Sequence, residues 1–162
     1  MSDKIEIRNI KKEDNYILAK IIRDTLTEFK ANKRGTAFYE DGTDHLYEEF
    51  QINRATYFVV VLNNEIAGGA GIYPTKGLPP DTCELVKLYL VPNTRGKGIG
   101  KMLIQLCIDE AGKQGYKKIY LETMPELNSA IPMYEKFGFN YLNHSIGLSG
   151  HSACNIWMMR EI

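Results

Sequence analysis

Between Glu84 and Glu122 the chain runs strand, glycine-rich turn, helix, strand, and that order leaves few folds open. Glu84 to Val91 is apolar on both faces apart from Glu84 and Lys87, the composition of a strand covered from both sides. Arg95-Gly96-Lys97-Gly98-Ile99-Gly100 follows. Helical spacing begins at Ile99, with Met102, Leu103, Leu106 and Ala111 on one side, and ends near Gly112 or Gly115. Lys118 to Glu122 is a second strand. A crossover of this kind sets its two strands parallel. Its turn also has a chemical consequence. Glycine lets the backbone visit positive φ and approach a ligand closely. The free N–H groups of the helix start, with the helix dipole behind them, attract phosphate oxygens. Arg95 and Lys97 add formal charge at the same place.

The flanking elements fill out a mixed sheet. Lys4 to Asn9 alternates as a first strand, and Asp14 or Asn15 is placed to cap a helix with the stripe Ile17, Leu18, Ile21, Ile22, Leu26 and Phe29. Asp44 to Phe50 is a short second helix. Tyr57 to Leu62 and Ile66 to Tyr73 form a hairpin about Asn63-Asn64-Glu65, since Asn tolerates positive φ. Gly68, Gly69 and Gly71 mark a bulge or a close backbone approach. Ser129 to Phe137 is a helix with Pro132 in its first turn, and Phe139 to Leu142 and Asn155 to Met159 are the last strands. The order β-α-α-β-β-β-α-β-α-β-β predicts a mixed α/β (α+β) fold in one domain over residues 1–162.

The chain is 162 residues long with a formal net charge of zero, which argues against a general nucleic-acid binder. It has no apolar run near the ~18 residues of a membrane span, and Met1-Ser2-Asp3-Lys4 lacks the apolar stretch of a signal peptide. Cys83, Cys107 and Cys154 are far apart and form no CxxC pair, so neither a disulfide framework nor a metal site is expected. A reducing cytoplasm is the expected compartment.

Three phosphate-binding patterns can be set against the loop. A Walker A motif fails because Met102 follows Gly100-Lys101 and Arg95 stands where its first glycine belongs. The dinucleotide fingerprint fails at its third glycine, and Pro92-Asn93-Thr94-Arg95 separates strand from glycines, although Glu122 lies near the offset of its ribose-binding acid. Arg/Gln-x-x-Gly-x-Gly/Ala is filled by Arg95, Gly98 and Gly100 after Leu88-Tyr89-Leu90-Val91-Pro92. A second segment, Ala130-Ile131-Pro132-Met133-Tyr134-Glu135-Lys136-Phe137-Gly138-Phe139, lies at the matching distance. Together they resemble the acetyl-CoA signature and the A-x-x-x-Y-E-K-x-G-F segment of the GNAT superfamily of N-acetyltransferases.

The resemblance implies a central mixed sheet of six to seven strands flanked by about four helices, with two parallel central strands splayed around coenzyme A. It implies acetyl-CoA as co-substrate. The pyrophosphate would lie on Gly96, Lys97, Gly98, Ile99, Gly100 and Lys101 beside Arg95, and the pantetheine arm along Leu88, Tyr89 and Leu90. Asn128 stands one residue from the position of the family's pantetheine-contacting Asn, where this chain has Leu127, and it could instead cap the following helix. Tyr134 matches the acid that protonates the leaving thiolate. Glu84 lies eleven residues before Arg95, the offset of the base in the histone-acetylating branch; Glu122 lies twelve before Tyr134, that of the ribosomal-protein branch. Both stay open as the base. Phe38, Tyr39, Asp41, His144, His151 and Cys154 are the candidates for the acceptor wall. A Cys–His nucleophile at His151 and Cys154 is not required by direct attack. The expected acceptor is a small-molecule or peptide amine. Homodimers are common in the family, and a member that binds acyl-CoA as a sensor without turnover is the alternative.

Overall fold

The computed structural model describes residues 2–162 and contains one seven-stranded sheet in the order β1-β2-β3-β4-β5-β7-β6. The strands are β1 (Ile5–Asn9), β2 (Thr56–Leu62), β3 (Glu65–Tyr73), β4 (Thr82–Leu90), β5 (Lys118–Thr123), β6 (Asn140–Leu142) and β7 (Ile156–Glu161). The helices are α1 (Asn15–Glu28), α2 (Leu46–Glu49), α3 (Ile99–Lys113) and α4 (Ile131–Lys136). Every neighbouring pair is antiparallel except β4 and β5, which are joined through α3 and run parallel. No helix among the described residues is long and apolar enough to cross a membrane.

The sheet separates two apolar layers, and the period of two along β2 assigns its side chains to them. Val60 and Leu62 pack with α3 and α4, while Tyr57 and Val59 pack with α1 and α2. The expected stripes are rotated in part. In α3 the buried set is Ile99, Leu103, Ile104, Cys107, Ile108 and Ala111, leaving Met102 exposed. In α1, Ile17 is exposed and Ala19 is buried. Both helices carry more apolar residues than one face needs, and contact with the sheet selects among them.

Local signals account for most of the element ends. Asn63 and Asn64 both take positive φ in the β2–β3 turn. Gly115, one residue past the α3 cap, has φ +88°, and Tyr116 N–H donates back to the Ala111 carbonyl at 3.0 Å. The capping expectations near α1 and α4 are corrected. Asp14 precedes α1 but makes no side-chain cap to it. It accepts from Lys11 N–H at 2.7 Å and from both terminal nitrogens of Arg8 at 2.8 and 3.0 Å, closing the preceding 3-10 turn. Asn15 instead ties α1 to α2, accepting from Tyr47 N–H at 2.8 Å. Asn128 does not cap α4 either: the cap position is Ala130, without a side-chain bond.

The three glycines of β3 let the sheet hold a bulge at its centre. Opposite Gly69 and Gly71, β4 spends one extra residue, running from Tyr89 to Val86, and Lys87 takes φ +54° there. The Tyr57 ring lies where side chains at Gly69 or Gly71 would stand. Its hydroxyl donates to the Lys87 carbonyl at 2.8 Å, fixing the bulge. Gly68, at φ +136°, lies against the Tyr89 carbonyl. Gly68→Ala should therefore lower the melting temperature by about 10 °C, because strained φ and a backbone clash together cost about 3 kcal/mol or more. Gly112→Ala, inside α3 with its nearest new neighbour Ile162 at 3.6 Å, should raise stability by about 0.5–1 kcal/mol. Thermal unfolding of the two variants checks the contrast.

Candidate active site

The central feature is a split in the sheet. β4 and β5 pair only at Thr82/Lys118, Cys83/Ile119 and Glu84/Tyr120, and then part. The edge of β4 from residue 85 to 90 therefore faces β5 with no strand against it. A cleft of about 540 Å³ fills the gap, lined by Leu88, Tyr89 and Leu90 from β4 and by Leu121 to Thr123 from β5. The turn before α3 closes one end, and Met133 and Tyr134 of α4 form a wall. An exposed backbone edge of this kind can pair with an extended, amide-bearing ligand as an added strand would.

The α3 end suits phosphate. Gly98 is the residue before the helix and has φ +77°, while Gly96 has φ +74°. Among the described residues, none beyond the chain neighbours comes within 4 Å of where a Cβ would stand on either, so the chain leaves open space above them. The first intrahelical bond runs from Met102 N–H to the Gly98 carbonyl at 3.1 Å, leaving the N–H groups before it to face the cleft. A Cβ on Gly100 would lie 3.1 Å from the Met133 methyl, so α3 and α4 approach closely here. Arg95 is less free than its charge suggests. It makes a two-pronged pair with Glu28 at 2.6 and 2.8 Å and lies 5.1 Å from the Phe29 ring centre.

Where the strands part, carboxyl groups collect. Glu84 is 2% exposed, and its Oε1 accepts from the Thr75 hydroxyl at 2.6 Å. Burial pushes its pKa up to about 7, against the Thr75 bond and the His151 charge. Glu122 accepts from the Tyr120 hydroxyl at 2.6 Å and from the Ser149 hydroxyl. His151 Nε2 lies 2.8 Å from Glu40, and its Nδ1 lies 3.9 Å from Glu122. Burial disfavours the His151 cation, yet the Glu40 bond and charge outweigh that and raise its pKa. Glu40 also binds Lys87 at 3.1 Å. Burial opposes the Glu40 charge, but His151 and Lys87 overcome it and hold the carboxyl down at about 2. Glu84, Glu122 and His151 each bring a polar atom within 4.8 Å of the others, and each is already bonded to a protein partner. These groups surround a second, smaller cavity that shares Leu85, Lys87, Tyr89, Glu122 and Leu127 with the cleft.

Comparison with known proteins gives this geometry a family. Residues 19–139 match the model of the acetyltransferase (GNAT) family. The chain belongs to the GNAT family. It is 35% identical over 157 residues to the uncharacterized N-acetyltransferase YjgM of Escherichia coli K12, covering 96% of this chain and 94% of that one. An acetyltransferase of GNAT family from Staphylococcus aureus Mu50 superposes with a TM-score of 0.86 at 19% identity, over 98% of this chain and 99% of that chain. The putative acetyltransferase yncA from Salmonella typhimurium, solved with its cofactor acetyl-CoA, superposes at 0.76 with 19% identity, over 97% and 93% of the two chains. The chain is thus an acetyl-CoA-dependent N-acetyltransferase with the mixed, splayed GNAT sheet.

Within this GNAT fold most expected site residues meet. Leu88, Tyr89, Leu90, Arg95, Gly96, Gly98, Ile99, Gly100, Lys101, Glu122 and Tyr134 all line the cleft. Glu84 lines the smaller cavity behind it. Lys97 turns away to pair with Asp3 at 2.6 Å, and Asn128 is exposed and outside the lining. Tyr134 is 7% exposed, with its ring 5.8 Å from that of Phe139. Burial raises its pKa above the usual phenol range, so it stays protonated.

On the acceptor side His151 and Cys154 are present, and Thr36 and Ala37 line the cavity in place of Phe38, Tyr39 and Asp41. His144 bonds its neighbour, the Ser145 carbonyl, at 2.9 Å and does not line the cavity. Burial, then the surrounding carboxylates, push the Cys154 thiol up to about 12, the opposite of an activated nucleophile. Sequence reasoning missed Glu40 and the roles of Lys87 and Tyr57. The glycines of β3 opposite Tyr57 were the available signal for the last.

Proposed function

We propose that this protein transfers the acetyl group of acetyl-CoA to a primary amine by direct attack, with Glu84 as base and Tyr134 as acid. The observation that carries the proposal is the junction of the two cavities where β4 and β5 part, with a phosphate-binding helix start beyond it on one side and a buried carboxyl pair on the other. The α3 turn would hold the pyrophosphate, and the open β4 edge would bond the pantetheine amides. Coenzyme A then leads its thioester past Leu90 toward Glu122.

The choice of Glu84 over Glu122 rests on what each is bonded to. Both oxygens of Glu122 receive protein hydroxyls, while Glu84 receives only Thr75. Glu84, with a pKa near 7, takes one proton from the acceptor ammonium, directly or through water. The amine nitrogen forms its bond to the carbonyl carbon, and the carbon–sulfur bond breaks. Tyr134 donates its proton to the departing thiolate and recovers one from the amide nitrogen being formed. The net products are the acetylated amine, free thiol and one proton, which leaves through Glu84. Glu122 orients the amine.

Calorimetric titration with acetyl-CoA tests the donor half. A single site is expected, and Gly98→Val should weaken it about tenfold or more by straining the left-handed turn and filling the space above it. Unchanged binding in that variant would remove the α3 turn from the site.

A further inference from the structure

The smaller cavity carries more information about the acceptor than its position alone. Its volume is about 50 Å³, room for roughly three or four water-sized groups. That accommodates the end of an aminoalkyl chain. An α-amino acid would bring nitrogen, a branched carbon and a three-atom carboxylate to the same place.

Charge points the same way. The basic side chains on the cavity wall are Lys87 and His151, and both are bonded to Glu40, at 3.1 and 2.8 Å. The remaining ionisable acids there are Glu84 and Glu122. Glu40, Glu84 and Glu122 together outnumber Lys87 and His151, so an incoming carboxylate would meet an excess of acids, whereas an ammonium would be welcomed. Glu40 is not free to withdraw. Its N–H donates to the Ala37 carbonyl at 3.3 Å, its carbonyl accepts from Thr43 N–H at 3.2 Å, and the buried Thr43 hydroxyl pins the same turn to Ala37 at 2.6 Å. Lys87 is equally fixed, since its backbone is the bulge that Tyr57 holds.

We propose that the acceptor is a primary amine at the end of an unbranched aliphatic chain, with no carboxylate on the amine-bearing carbon, and that Glu40 sets this preference by pairing with both Lys87 and His151 and tipping the balance of charge around the cavity toward the acids. The proposal rests on the acetyl-transfer reading above and narrows it. Glu40 is a specificity-determining residue here: it lies behind the two basic side chains and does not touch the reacting atoms.

Three amines built on the same four-carbon chain separate branching from charge. Butylamine is unbranched, pentan-2-amine adds a methyl on the amine-bearing carbon, and norvaline carries a carboxylate there instead. With the wild-type protein and acetyl-CoA, butylamine should show at least about tenfold higher kcat/KM than norvaline, with pentan-2-amine between them. In Glu40→Gln, the released basic groups should raise the norvaline to pentan-2-amine ratio about fivefold or more. Norvaline used as well as butylamine by the wild type would overturn the proposal, and that comparison stands whether or not the variant folds. An unmoved ratio in folded Glu40→Gln would overturn the role of Glu40. Calorimetry on the same protein separates the layers: acetyl-CoA binding without turnover of any of the three amines overturns the acceptor assignment alone, and absence of binding overturns the donor site beneath it.

Discussion

Glu84→Gln should lower kcat by about two to four orders of magnitude and, at pH 8, make the protein more stable. The two effects have one origin. Glu84 is buried beneath the parting strands with a single hydrogen bond, and burial lifts its pKa from 4.5 to about 7. A carboxyl in that range accepts a proton from an ammonium and releases it again near neutral pH, as a base must. The wild-type kcat/KM should therefore fall as pH drops through about 7, and that limb should vanish in the glutamine variant.

For stability the sign is the reverse of the usual acid. The folded pKa lies above the unfolded one, so the folded state binds the proton more tightly. The contribution of Glu84 is neutral below pH 4.5 and becomes increasingly unfavourable up to about pH 7. The difference, 7 minus 4.5, corresponds to a cost on the order of 3 kcal/mol at pH 8. Glutamine removes that cost and keeps an acceptor for Thr75. Melting temperatures should rise by several degrees at pH 8 and barely move at pH 4.5. Glu122→Gln supplies the contrast: the limb near pH 7 should persist, with the loss mainly in KM for the amine. Equal melting temperatures for wild type and Glu84→Gln at both pH values would show that Glu84 is not held as a strained, desolvated acid.

Tyr134→Phe should lower kcat by about two orders of magnitude or more with little change in acetyl-CoA affinity. The ring is held by its edge-on contact with Phe139, and phenylalanine keeps that contact, so the fold should persist. What is lost is one hydroxyl on the cleft wall. Burial keeps the phenol protonated through neutral pH, the state a general acid needs. Without it the sulfur must leave as a bare thiolate. The loss should shrink for thioesters of more acidic thiols, which need less protonation as they leave. A constant ratio of wild-type to variant rates across such a series would argue that Tyr134 only shapes the cleft.

Much of this was legible in the chain because the signals were local. The parallel β4–β5 pair followed from a crossover of fixed hand, and the turn at Gly98 from residues that positive φ demands. The residues expected at the donor site lie within two short segments, so their spacing is visible in the sequence. The acceptor side is assembled from distant pieces. Glu40 is a polar residue between two 3-10 turns, and only folding brings it to His151 and Lys87. Lys97, adjacent to the loop glycines, is drawn off by Asp3 at the other end of the chain. The stripes expected for α1 and α3 differ from their buried faces because both helices carry apolar residues beyond the face that meets the sheet.

The most direct test is to incubate the protein with acetyl-CoA and butylamine from pH 5.5 to 9 and quantify N-acetylbutylamine and free thiol together. Equal amounts of the two are expected, formed in proportion to enzyme, at a rate rising through about pH 7 in the wild type and without that rise in Glu84→Gln. Bound acetyl-CoA with no amide product, or a Glu84→Gln profile that matches the wild type, would contradict it.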